Sequence, residues 1–367
     1  VLELPAGRRA KFVLQVRDAT GARATGGGER VACRLIRDGG DDALPTGDLH
    51  VAEPEETVFA EGDVDDQMDG RYEITLRPRA QGLHQLWVLL NGAHILGSPA
   101  AVQVAATAPV AHKCELFPRT AELLAGASAS FRLFLRDELG NALPAPPPQL
   151  PVGVRICAAA GSEPSDAERA FADSSVQPDG RVSVDFLSER IGVFDVHVLI
   201  GSEVVGGSPV RVTVLAGPAD AGRSRFAADG VRSICAGHAV ALVVHCADRF
   251  GNPTAEAVLT PALCYEGDEE GQLPPPRLSI SATTIPGALA LSFTPTRAGM
   301  LSLHLRLNSE PLSGSPSSIQ VVPGNAAAPR SLLLGNGLES CVVSGSGTQR
   351  SLKLITFDAY GNRCTSG

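Results

Sequence analysis

A chain of 367 residues with 44% hydrophobic and 19% charged residues is long enough for about two to four domains, each burying its own core. Its 39 Gly and 27 Pro, without long helical periodicity, predict strands joined by turns. The formal charge of −9 excludes a phosphate-binding surface, so no nucleic-acid partner is expected, and no apolar run is long enough for a membrane-spanning helix.

The first clear strands lie at 10–18, 130–137, 240–248 and 350–358, each ending in Asp. Counting back from that Asp, alternate residues read Val16, Leu14, Phe12; Leu135, Leu133, Phe131; Cys246, Val244, Leu242; and Thr356, Leu354, Leu352. A period of two marks one face of a half-buried strand. D-x-x-G-N follows at 137–141, 248–252 and 358–362, and a degenerate D-A-T-G-A at 18–22. Gly and Asn accept positive φ, so a tight bend is expected at each strand end.

After a variable stretch come strands at 71–76, 181–186 and 288–293, where Tyr72, Ile74 and Leu76 align with Val182, Val184 and Phe186 and with Leu289, Leu291 and Phe293. Gly82, Gly192 and Gly299 each open another strand. Its inward face reads His84, Leu86, Val88; Phe194, Val196, Val198; and Leu301, Leu303, Leu305. Asn91-Gly92 suits a type I′ turn, and Gly-Ser-Pro at 97–99, 207–209 and 314–316 leads into a last strand. Proline there fits a strand start or an edge, where its missing N–H breaks no ladder bond.

The Gly-Ser-Pro steps are 110 and 107 residues, and the D-x-x-G steps are 119, 111 and 110. Units of about a hundred residues and about seven strands predict an all-β chain of tandem immunoglobulin-like β-sandwiches. They are expected at 1–106, with the first strand cut short, at 114–215, at 219–322, and as an incomplete fourth at 325–367. The sequence reads as part of a longer chain.

Asp69-Gly70-Arg71-Tyr72, the D-x-x-G-N bend, the Gly-initiated strand and the ending at 91–99 together resemble the filamin-type immunoglobulin-like repeat. The resemblance runs through the whole chain and is loosest at 30–64, 150–176 and 261–284. It implies a non-enzymatic scaffold or spacer that docks other proteins, in a cytoplasmic, cytoskeletal or ciliary setting. A cell-surface adhesion ectodomain of gamete type, with oxidised cysteines, is the alternative. In such repeats an extended peptide adds to the sheet edge at the third strand. The matching stretches are 31–37, 152–157 and 262–266, which makes Val31, Cys33, Leu35, Val152, Val154, Ile156, Leu263 and Tyr265 the implied contact residues.

Chemistry-bearing patterns are absent: no G-x-S-x-G, phosphate-binding loop, dinucleotide fingerprint or H-E-x-x-H occurs. No catalytic residue, cofactor or small-molecule substrate is therefore expected. Cys235, His238, His245 and Cys246 lack metal-ligand spacing, and alternation sends His245 and Cys246 to opposite faces. The acidic run at 63–70 fails as a calcium loop, because Leu76 falls where a bidentate Glu is needed. The sixth strands carry no Cys, which excludes the antibody-type bridge; the eight cysteines are expected mostly as free thiols, with Cys235 and Cys341 in equivalent places. Trp87, the only Trp, shares its position with His197 and His304 and points away from the core, either under a neighbouring loop or toward a partner. The segment 104–113 reads as a longer and freer linker than 215–218 or 322–324.

Overall fold

The computed structural model describes residues 1–37, 58–159, 170–177, 181–226, 231–268, 274–335 and 351–365. Cys341 lies outside them. By backbone proximity the chain forms two compact units. One comprises Val1–Glu122, Ser128–Leu187 and Val193–Thr213; the other comprises Leu123–Ala127, Ser188–Gly192 and Val214–Gly367.

The strands group as tandem immunoglobulin-like sandwiches. The first is built from β1 (Leu2–Pro5), β2 (Ala10–Gln15), β3 (Val31–Arg37), β4 (Val58–Glu61), β5 (Asp63–Asp66), β6 (Arg71–Leu76), β7 (Gly82–Leu90), β8 (Ala93–His94) and β9 (Ala100–Ala105). One sheet runs β1-β9-β7-β3-β4, with β8 on β7, and the other β2-β6-β5. The second sandwich has β10 (Glu115–Phe117), β11 (Thr120–Leu124), β12 (Ser128–Phe134), β13 (Val152–Ala158), β14 (Ala170–Val176), β15 (Val182–Ser188), β16 (Gly192–Ile200), β17 (Glu203–Val204) and β18 (Val210–Leu215). Its sheets run β10-β12-β15-β14 and β11-β18-β16-β13, with β17 on β16. The third has β19 (Arg225–Phe226), β20 (Ser233–Cys235), β21 (Val240–His245), β22 (Leu259–Tyr265), β23 (Ser279–Ala282), β24 (Ala288–Phe293), β25 (Gly299–Leu307), β26 (Glu310–Pro311) and β27 (Ser317–Val322). Its sheets run β19-β21-β24-β23 and β20-β27-β25-β22, with β26 on β25. A final pair joins β28 (Leu332–Leu334) to β29 (Lys353–Ile355).

Alternation places expected residues of the first three copies inside, whereas Leu352 and Leu354 of the fourth are exposed. Ile74, Leu76, Leu35, Val102 and Val104 form the first core, and Leu242, Val244, Leu291, Leu301, Leu303 and Leu305 lie in the third. His84 is buried, its Nε2 lies 3.1 Å from the Ala80 carbonyl, and its ring stacks on Phe59. Asn91 and Gly92 both have positive φ, as a type I′ turn requires. In Gly-Ser-Pro the peptide before proline is cis, and the serine hydroxyl accepts the backbone N–H of Val88, Val198 or Leu305 at 2.9, 2.9 and 2.7 Å.

The D-x-x-G-N bends do more than turn the chain. Only their Gly has positive φ (Gly140, Gly251, Gly361); the Asn does not, and its amide is used elsewhere. Asn141 Nδ2 donates to the Arg79 carbonyl and its Oδ1 accepts from the Gln81 N–H, both just ahead of β7. Asn362 repeats this on the Thr296 carbonyl and the Ala298 N–H, ahead of β25, and Asn252 donates to the Glu189 carbonyl. Each Asp binds the start of its own sandwich: the carboxylates of Asp137, Asp248 and Asp358 accept the N–H of Thr107, Gly217 and Gly324. Burial pushes these carboxyls up, but bonds from the Asn amide and from backbone N–H groups outweigh it, so all three sit below the ordinary carboxylate range.

These bonds correct the linker expectation. β9, β18 and β27 end at Ala105, Leu215 and Val322, and the Asp-bonded residue follows two positions later in every case. The supposed extra length belongs to the second sandwich, where Val110 donates to the Arg136 carbonyl and Ala111–Lys113 forms a 3-10 turn.

Candidate partner-docking edges

The third strand of each sandwich is β3, β13 or β22, and the three are not alike. β3 pairs with β7 on one side and, over Arg34–Ile36, with β4 on the other, so the edge expected at Cys33 and Leu35 is covered by the chain itself, while Val31 lies beyond the reach of β4. The Cys33 carbonyl also accepts the Gly62 N–H at 2.9 Å. Gly62 is the crossing point from β4 in one sheet to β5 in the other, and it passes so close to Cys33 and Ile74 that a Cβ there would lie 2.9 Å from Cys33 Cβ. Only glycine fits this approach without displacing its neighbours.

β13 pairs with β16 and ends its sheet, and β22 likewise pairs with β25 and ends its sheet. Opposite Val88, Val198 and Leu305 stand Cys33, Val154 and Pro261; opposite Leu86, Val196 and Leu303 stand Leu35, Ile156 and Leu263. Cys33 and Leu35 are 3% and 0% exposed, whereas Val152, Val154 and Ile156 on uncovered β13 are only half-buried. In the third sandwich Leu263 and Tyr265 are buried without a covering strand; Leu278 packs against that core and the Arg297 guanidinium lies over the Tyr265 ring.

Beside β13 runs β14, the end strand of the facing sheet, with Ala170, Ala172 and Ser174 half-buried between exposed Phe171, Asp173 and Ser175. Small residues on β14 stand beside branched apolar residues on β13, and the Ser174 hydroxyl lies 3.5 Å from the Val152 carbonyl. On the outer face of β13, Arg155 is exposed and forms no ion pair among the described residues. Asp195, across from Cys157, is instead held by Arg211 at 3.0 Å. Arg155 was missed in the sequence because attention went to the inward-facing alternates; its signal was the outward position between them.

Trp87 has contacts within its own sandwich. It is half-buried, its ring meets His94 edge-on at 4.8 Å, and its Nε1 donates to Gln85 at 3.3 Å. No group of His, Cys, Asp and Glu suited to a metal occurs among the described residues. Seven cysteines, Cys33, Cys114, Cys157, Cys235, Cys246, Cys264 and Cys364, are free thiols. Burial raises the Cys33 thiol to about 11, so its position is structural.

Residues 2–101 match the family model of the Filamin/ABP280 repeat. Among solved structures, the chain is similar to FdeC, an adhesin of Escherichia coli, at 19% identity with a TM-score of 0.52, covering 86% of this chain and 93% of that one. The bacterial integrin-binding protein invasin is 18% identical with a TM-score of 0.43, over 89% of this chain and 61% of its own. The Lin-41 filamin domain is 18% identical with a TM-score of 0.26, over 29% of this chain and all of its own. The first sandwich thus matches the filamin-type repeat, and the likeness to FdeC shows that the tandem sandwich fold extends along the chain.

Proposed function

We propose that this chain is a non-enzymatic scaffold whose tandem sandwiches dock partner proteins by β-strand addition, with the β13 edge of the second sandwich as the principal dock. The observation that carries it is the contrast in burial between equivalent residues: Leu35 is 0% exposed beneath β4, while Ile156 stands half-buried on an edge without such a cover. An added strand would bond the backbone groups of β13 that no described strand pairs with, and set alternate side chains against Val154 and Ile156. The first sandwich fills its own edge and acts as a spacer; the third offers an edge whose apolar residues are already covered.

A random-sequence peptide library panned against the whole chain tests this. Bound peptides are expected to protect the amides of Val152–Ala158 from hydrogen exchange. Protection at no edge strand, or only in loops, rejects the reading.

A further inference from the structure

The first sandwich contains its own ligand, and that ligand describes the one its neighbour would take. β4 runs antiparallel along β3, with Ala60 opposite Leu35 and Glu61 opposite Arg34. A shift of register between Leu35 and Ile36 brings Val58 opposite Ile36 and leaves Phe59 as the extra residue. Glu61 Oε1 lies 3.4 Å from Arg34 Nε on the outer face of the pair. β4 therefore supplies a small apolar residue to the core and a carboxylate to the strand's arginine.

The second sandwich reproduces the receiving half of this arrangement without the occupant. Arg34 stands opposite Trp87 and Arg155 opposite His197, equivalent places on β7 and β16; Leu35 and Ile156 follow in the same register. Arg155 thus repeats the cation that Glu61 answers, on an edge that pairs with no described strand beyond β16 although β14 runs beside it. In the third sandwich Ala262 takes this place, opposite His304, so the cation is missing.

We infer that the β13 edge selects an extended acidic segment, bound antiparallel, in which a small apolar residue facing Ile156 is followed at once by Glu or Asp facing Arg155. The inference rests on the strand-docking reading above and adds to it the partner's direction and chemistry. Main-chain bonds would supply most of the affinity, while the cross-strand charge pair would set register and choice among peptides.

The test uses an acetylated, amidated peptide of residues 58–63 (VFAEGD), a version carrying Glu61→Lys, and the isotope-labelled whole chain observed by NMR. The first peptide is expected to shift the amide signals of Val152–Ala158. The Glu61→Lys peptide should bind there about three- to tenfold more weakly, the range for an exposed charge pair turned into a repulsion. With the Arg155→Glu chain the preference should invert, and Arg155→Ser should abolish it. Equal binding of both peptides at β13, or shifts confined to Val31–Arg37 through exchange with β4, overturns the inference. Charge-blind binding at β13 would leave strand docking intact; absence of any library peptide on that edge would remove strand docking itself.

Discussion

The side-chain amide of Asn141 donates a 2.9 Å hydrogen bond to the carbonyl of Arg79, a residue 62 positions earlier and in the preceding sandwich. Its Oδ1 receives the Gln81 N–H at 3.0 Å. Asn141→Ala removes both bonds. The loss is expected to be about 1–3 kcal/mol, from about 0.5–1.5 kcal/mol net per bond. Hydrogen exchange should show the Gln81 amide losing protection while the β12 and β15 amides keep theirs. Unchanged protection at Gln81 would mean the clasp is not populated in solution.

Asp248 accepts N–H bonds from Gly217, Phe250 and Asn252. Asp248→Ala leaves these donors without it and is expected to destabilise the third sandwich by about 1–3 kcal/mol in urea unfolding. Its folded-state pKa, like those of Asp137 and Asp358, is depressed. The stabilisation from these carboxylates is therefore present above the unfolded value of about 3.9 and is lost as pH falls through the lower folded values. Stability should drop steeply in that acid window, and less steeply in Asp248→Asn. Equal acid profiles for the two proteins would contradict this.

Tyr360 lies against Gly237, which has a φ of +87°; a Cβ on that glycine would sit 2.5 Å from Tyr360 Cε2 and Oη. Leu139 meets Gly7 and Phe250 meets Gly126 in the same way. Gly237→Ala should destabilise by more than Gly251→Ala, whose φ of +88° is alike but whose Cβ would meet nothing within 4 Å. The shared backbone part is about 1–2 kcal/mol. Tyr360→Ala added to Gly237→Ala should recover the difference but not the shared part. Equal melting temperatures for the two glycine variants would remove the steric contribution.

Alkylation under native conditions should label exposed Cys235 and Cys264 first and buried Cys33, Cys114 and Cys246 last. Burial raises the pKa of those three thiols, which keeps them protonated. Intact mass of the unreduced, denatured protein should show at least the seven described cysteines labelled. Fewer labels would indicate bridges and favour the oxidised ectodomain over the scaffold.

Much of the fold could be read in advance because strand side chains alternate, so Tyr72, Ile74 and Leu76 declare their face without reference to anything distant. β4 could not. Its four residues declare no face of their own, and their place is set by pairing with β3 across 38–57. The Asn of D-x-x-G-N was legible as a bend and illegible as a clasp, since its partners lie more than sixty residues away. A trace of the second role was nonetheless present. Leu139, Phe250 and Tyr360 precede Gly-Asn, while the first copy has Thr20 and Ala22 in the corresponding places, so the packing residue and the clasp are absent together. At the docking edge, alternation identified the inward residues and passed over Arg155, whose importance depends on the Arg34–Glu61 pair in another sandwich.

Two of the sandwiches join an early strand to their last in parallel: Leu2–Pro5 lies beside Val102–Ala105, and Ser233–Cys235 beside Gln320–Val322. In the first of them these are the first and last described strands, so tension applied along the chain enters through one and leaves through the other. It pulls the pair past each other and loads their hydrogen bonds together in shear, where an antiparallel pair pulled from its open end would lose its bonds one at a time. That sandwich thus resists stretching through the strands that carry the chain into and out of it.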